Sequence, residues 1–218
     1  MDPFLLHGFL MAVAWLVLLP IGVLIARFFK VTKTQDWPNE LDNQFWWRSH
    51  RWLNYSGIGM ATLGILVVWT TLDGLQFSTW HGRLGLATFA LGWLQVISAW
   101  LRGTTGGPKE KGADPDDPRT WRGDHFDMTL RRRLFEGWHK HLGYLALMLA
   151  VPTAWLGLHL LAMPVWLKAA PWIAGLIFVL LYARFAREGR WIDTHEAIWG
   201  PDMSPSSQPD RQKKREAS

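Results

Sequence analysis

Five apolar runs, each near the length of a bilayer-crossing helix, constrain what this chain can fold into. They are Phe4 to Phe29, His50 to Leu72, Trp80 to Leu101, Trp138 to Met163 and Val165 to Arg184. About 20 such residues cross a hydrocarbon core as a helix, and there the backbone must satisfy its own polar groups. With capping turns added, the runs predict helices at about residues 4–29, 45–72, 79–101, 129–163 and 165–188. The expected fold is an all-α membrane protein: five transmembrane helices, four forming a core and one extra, in a domain over residues 1–190. Residues 191–218 are expected to be a cytoplasmic tail, partly disordered.

The first run is too long for a signal-peptide core, lacks a basic leader and has no small-residue cleavage site, so it is expected to persist. Short links keep successive helices adjacent and antiparallel. Asn43 is a candidate cap for the second helix, Ser78 or Thr79 for the third, and Asp127 or Thr129 for the fourth. Pro20 and Pro152 interrupt the first and fourth helices. The third connection, "RGTTGGPKEKGADPDDPRTWRGDHFDMTLRRR", is long, and its Gly/Pro-rich first half is expected to be mobile.

Of 23 Lys and Arg, all but Arg83 and Lys168 fall in the first connection, the third connection or the C-terminal segment, with their flanks. The positive-inside rule then puts the N-terminus outside and the C-terminus in the cytoplasm, with a bacterial inner membrane as the expected location. The net charge of +5 is explained by this topology and by anionic lipid, which removes nucleic acid as a partner.

The chain has no cysteine, so any metal or haem must rest on His, Met or carboxylates. His7, His50, His81 and His139 open the first four helices. Because the helices alternate in direction, His7 and His81 share the outer end and His50 and His139 the inner end. A haem iron held by two neutral imidazoles needs two histidines on facing helices at matching depth. One such histidine alone is as readily an interfacial polar residue. Four at the correct ends of four successive helices favour two haems, on the order of 20 Å apart.

The stretch "WHKHLGY" leaves a choice, because His139 and His141 differ by about 200° around the helix. His139 stands four residues before Gly143, as His81 stands before Gly85, so His139 is expected as the ligand and His141 at the lipid or fifth-helix side. The opposite choice aligns His141 with His159 but finds no partner pair.

The motifs "LHGFLMAVAWLVLLPIGVLIARFFK", "HRWLNYSG", "HGRLGLATFALGWLQVISAWLR" and "WHKHLGY" together resemble the cytochrome b561 family over about residues 4–163. The resemblance is to the membrane core found with catecholamine-binding-type domains, here without the extracellular domain. It implies a helical bundle with two haem b (iron) groups, held by His7 with His81 and by His50 with His139. It further implies electron transfer from an inner donor (ascorbate, a quinol or a redox protein) to an outer acceptor such as ferric iron, which makes the chain an electron-transfer oxidoreductase. The sequence departs from the family pattern in the segment "GGPKEKGADPDDP" and in Asn54, where His-x-x-x-Gly would place glycine.

Arg83 beside His81 and Arg51 beside His50 are the cofactor-binding candidates for haem propionates. Arg48, Arg131, Arg132, Arg133 and Lys140 share the inner end and are equally explained by topology. His125 between Asp124 and Asp127, and His195 beside Glu196, are weaker candidates for a metal or a proton relay; His159 ends the fourth helix. The sixteen tryptophans read as interfacial belts and packing. A rival reading makes the chain a membrane anchor, with or without haem, of a larger redox or energy-transducing complex, and a homodimer or larger assembly fits either reading.

Overall fold

The computed structural model describes residues 2–40, 43–114, 117 and 120–200. Among these residues the chain is helical with no strand. Helix α1 runs Pro3–Phe28, α2 Phe45–Leu72, α3 Trp80–Trp100, α4 Leu130–Leu160, α5 Val165–Arg187 and the short α6 Thr194–Trp199. Helices α1, α2, α4 and α5 are long and apolar enough to cross a membrane. Helix α3, at 21 residues, has spanning length too, but His81, Arg83, Gln95 and its tryptophans dilute its hydropathy.

The caps follow side-chain chemistry. Asp2 Oδ1 accepts from the Phe4 and Leu5 amides, Thr79 Oγ1 from Gly82 N and Thr129 Oγ1 from Arg132 N, each satisfying donors orphaned at a helix start. Asn43 Oδ1 accepts from Phe45 N, while the residue in the cap position of α2 is Gln44. Inside α1, Val13–Leu18 widens into a π-helical turn. Pro20 is the physical reason: it cannot donate to the carbonyl of Leu16 and its ring crowds that oxygen, so the register loosens just before it.

Two antiparallel hairpins make the bundle. Helix α1 packs along α2, and α3 along α4, with α5 against the outside of α4. The hairpins meet in a core of Ala14, Trp15, Leu19, Ile58, Ala61, Val96, Ala146 and Ala150. Lipid is as apolar as leucine, so burial of large side chains drives association weakly in a membrane and small residues that let backbones approach matter more. Gly57 shows this: a Cβ there would stand 2.9 Å from Leu19 Cδ2. At Gly92 it would stand 2.7 Å from Ile58 Cδ1 and 3.1 Å from the Trp15 ring.

At the end carrying the basic connections, the chain after α5 folds back. Lys30 Nζ donates to Ile192 O at 2.9 Å, Arg27 lies over the Trp191 ring and Arg190 over Phe29. Ala197 of α6 is buried. The expected tail therefore begins with an ordered strap, and residues 201–218 lie outside the described residues.

The long third connection is also tied down over its described part. Asp124 accepts from Thr104 N (2.9 Å) and from Thr129 Oγ1 (2.8 Å), and His125 N donates to Thr104 O. These bonds, led by that from the Thr104 amide, hold the Asp124 carboxyl below its usual range. Gly106 and Gly123 pack backbone to backbone, with positive φ at both, where a side chain would collide. The expectation of a mobile Gly/Pro-rich half meets a folded segment here; Pro115, Asp116, Pro118 and Arg119 lie outside the described residues.

Candidate haem-binding sites

Each histidine that opens one of the first four helices meets one other across the bundle. The His7 and His81 rings lie with centroids 6.1 Å apart at an interplanar angle of 90°, and the His50 and His139 rings 6.3 Å apart at 70°. Two metal–imidazole bonds of ~2.0–2.1 Å, with ~1.1 Å from each nitrogen to its ring centre, would put two rings roughly 6.2–6.4 Å apart across one metal ion. Both pairs match that spacing.

Hydrogen bonds fix the tautomers. His7 Nδ1 donates to Gly64 O (2.9 Å), His50 Nδ1 to Gly22 O (3.0 Å) and His81 Nδ1 to Thr153 O (2.9 Å). A carbonyl only accepts, so each of these Nδ1 atoms carries the proton and each Nε2 keeps its lone pair. For His139 the partner is Ser98 Oγ at 3.3 Å. Ser98 spends its proton on Gln95 O, so it too accepts from Nδ1. Four imidazoles thus present a free Nε2 and a donating Nδ1, the arrangement that orients a metal-binding histidine and raises its basicity.

The supporting acceptors come from the partner helix of the same hairpin. In the first, α1 carries His7 and accepts from His50 at Gly22, while α2 carries His50 and accepts from His7 at Gly64. The second repeats this with His81 on Thr153 and His139 on Ser98. Glycines make room for the rings: a Cβ on Gly157 would stand 2.8 Å from His81 Cε1, and one on Gly64 3.6 Å from His7 Nδ1. Asn54, the departure in "HRWLNYSG", packs onto Gly22 so closely that a Cβ there would overlap its amide. Its amide also donates to His50 O. The small residue expected on α2 has its counterpart on the facing helix.

A cavity of ≈ 1130 Å³ surrounds the His50–His139 pair, just above the ~300–1,000 Å³ usual for small-molecule and cofactor sites. Its walls include Trp15, Leu19, Ile58 and Val96, and Arg51, Arg102 and Arg132 stand among its polar lining. Burial, with Arg132 and Arg51 nearby, pushes the Arg102 guanidinium below its ordinary range. Converging cations favour an anionic group in the cavity. Apolar walls, a basic edge and two free Nε2 atoms fit a haem, which His50 and His139 would ligate and whose propionates Arg51, Arg102 and Arg132 could neutralise. Among the described residues no group of three or more His, Asp or Glu could hold a bare metal ion; a haem needs only two protein ligands.

The other sequence candidates scatter. Arg51 stacks over Trp47 and Tyr55 beside the cavity. Arg83 donates from Nε to Phe77 O (2.7 Å) and lies over Trp80, which ties it to its own end of α3. Arg132 is buried and paired with Glu136, which also takes Lys140, while Arg48, Arg131 and Arg133 are exposed. His141 is exposed and bonds within its own helix, at Gly137 O. Because that carbonyl can only accept, Nδ1 is the donor. His125 is buried and lines the cavity, but Asp124 and Asp127 are bonded within the loop and do not join it in a metal cluster. His159 packs against Trp155, and the His195 side chain lies outside the described ones. Sequence reasoning missed Arg102, the carbonyl acceptors and Gly157.

A family model described as eukaryotic cytochrome b561 matches residues 6–103, the segment that holds His7, His50 and His81. A cytochrome b561, DM13 and DOMON domain-containing protein of Arabidopsis thaliana is 36% identical over 96 residues, 44% of this chain and 10% of that protein. Ferric-chelate reductase 1 of Bos taurus is 28% identical over 156 residues, 71% of this chain and 22% of that protein. The chain thus spans a quarter or less of these relatives' length, and they lend no support to a bacterial inner membrane. No solved structure matches. Over residues 6–103 the chain is thus similar to the cytochrome b561 family, and with its four long apolar helices it is an integral membrane protein.

Proposed function

We propose that this protein carries electrons across its membrane through two b-type haems, one on His7 and His81 and one on His50 and His139. The carrying observation is the pair of pairs: two facing imidazole couples at 6.1 and 6.3 Å, each ring held through Nδ1 so that Nε2 is free to ligate. When bound, haem supplies a reversible one-electron acceptor. The chain's own residues orient it. Gly22, Gly64, Thr153 and Ser98 set the tautomers, Gly157 gives the His81 ring space, and Arg51 and Arg102 offer charge to propionates. Electrons enter from a donor at the basic end, of ascorbate or quinol type, and leave to an acceptor at the His7–His81 end; ferric-chelate reductase 1, a relative by sequence, suggests ferric iron.

The test is haem quantification with a reduced-minus-oxidised spectrum on the purified chain. Two haems per chain with a low-spin bis-imidazole signature are expected. One haem would leave a pair unexplained, and none would sink the reading.

A further inference from the structure

Beside the pair that the cavity surrounds lies a polar group that the protein leaves unsatisfied. Gln95 lines the cavity from α3, and its Oε1 and Nε2 are both buried without a hydrogen-bond partner. Buried amides are nearly always paired, because an unpaired one in an apolar medium is costly, so an exception calls for a reason. Its position supplies one. Gln95 O accepts from Ser98 Oγ, the hydroxyl that holds His139 Nδ1. The same side chain faces Gly143, one turn beyond His139, where a Cβ would stand 3.6 Å from Oε1. The glycine leaves the amide room, and the backbone ties it to the support of a ligand imidazole.

We propose that Gln95 is a positioning residue that sets the electron affinity of the group held by His50 and His139. This rests on the haem reading above. An amide dipole fixed in a low-dielectric site and not neutralised by protein partners interacts differently with the two charge states of a neighbouring redox centre. The His7–His81 group, at the other end of the bundle, should feel it far less.

A spectroelectrochemical titration of the purified holoprotein tests this, with the two components assigned by the one that His139→Ala removes. Gln95→Met keeps the volume and deletes the dipole. It should retain both haem spectra and displace the midpoint of the His50–His139 component alone. Gln95→Glu should lower that midpoint, more so as pH rises and the carboxyl ionises, and Gln95→Asn should restore a value nearer the native one. Unchanged midpoints in Gln95→Met and Gln95→Glu, or equal displacement of both components, would overturn the inference. If Gln95→Met fails to fold, Gln95→Glu decides alone. Absence of haem from the native protein would instead overturn the reading beneath it.

Discussion

His139 and His141 stand two residues apart in "WHKHLGY", and their hydrogen bonds separate their roles. His139 leans on Ser98 across the hairpin and faces His50, whereas His141 turns back on its own helix at Gly137 O. His139→Ala is expected to remove the haem of the cavity and spare the other, and His141→Ala to keep both, as read by the difference spectrum. Loss of one haem in His141→Ala alone would exchange the two assignments. Lys30, just beyond α1, offers a pH test. Burial pushes its ammonium down from 10.5 to about 8, against the pull of Asp193. Between about 8 and 10.5 the unfolded chain therefore holds a proton that the folded chain has lost, so stability should rise with pH across that window. Thermal unfolding in detergent should show the rise in the native protein and a weaker one in Lys30→Met.

The reciprocal hairpin is the unit that builds the sites. Each helix carries a ligand near one end and, fourteen to seventeen residues along, the acceptor for its neighbour's ring; fourteen residues make about 21 Å at 1.5 Å per residue. Two imidazole pairs at the two ends of the bundle follow from helix length and alternating direction. Gly157 tests the packing. Gly157→Val should force the His81 ring aside, cost ~1–3 kcal/mol as overpacking does, and lose the haem that His81→Ala loses. Gly59→Val, where a Cβ meets nothing within 4 Å, should keep both. The helices were legible in the sequence because apolar runs and breakers are local signals, and the histidine pairing followed from alternating helix direction. The acceptors were not legible. Gly22, Gly64 and Thr153 act through backbone carbonyls, which any residue owns, and only the facing helix reveals which carbonyl is used. Arg102 was hidden for a related reason, since a basic residue just past a helix end reads as topology until the fold gathers Arg51 and Arg132 beside it.

Across the whole molecule the asymmetry of charge and the asymmetry of the cavity coincide. All but two of the 23 Lys and Arg belong to the end or tail on the His50–His139 side, and that is where the ≈ 1130 Å³ cavity lies, with Lys30 and Thr194 in its lining. Moving those cations across a bilayer would cost far more than leaving them in the compartment of synthesis, which is the physical basis of the positive-inside rule. The basic end, the strap over residues 190–200 and the cavity should therefore all face the cytoplasm. A tag fused after Ser218 is expected to resist an external protease in intact cells and to be cut after lysis. A tag ahead of the α1 cap should behave in the opposite way. If the C-terminal tag is cut from outside, the His50–His139 centre faces the exterior, and the donor must be sought there and the acceptor inside, with both ligand pairs left as they stand.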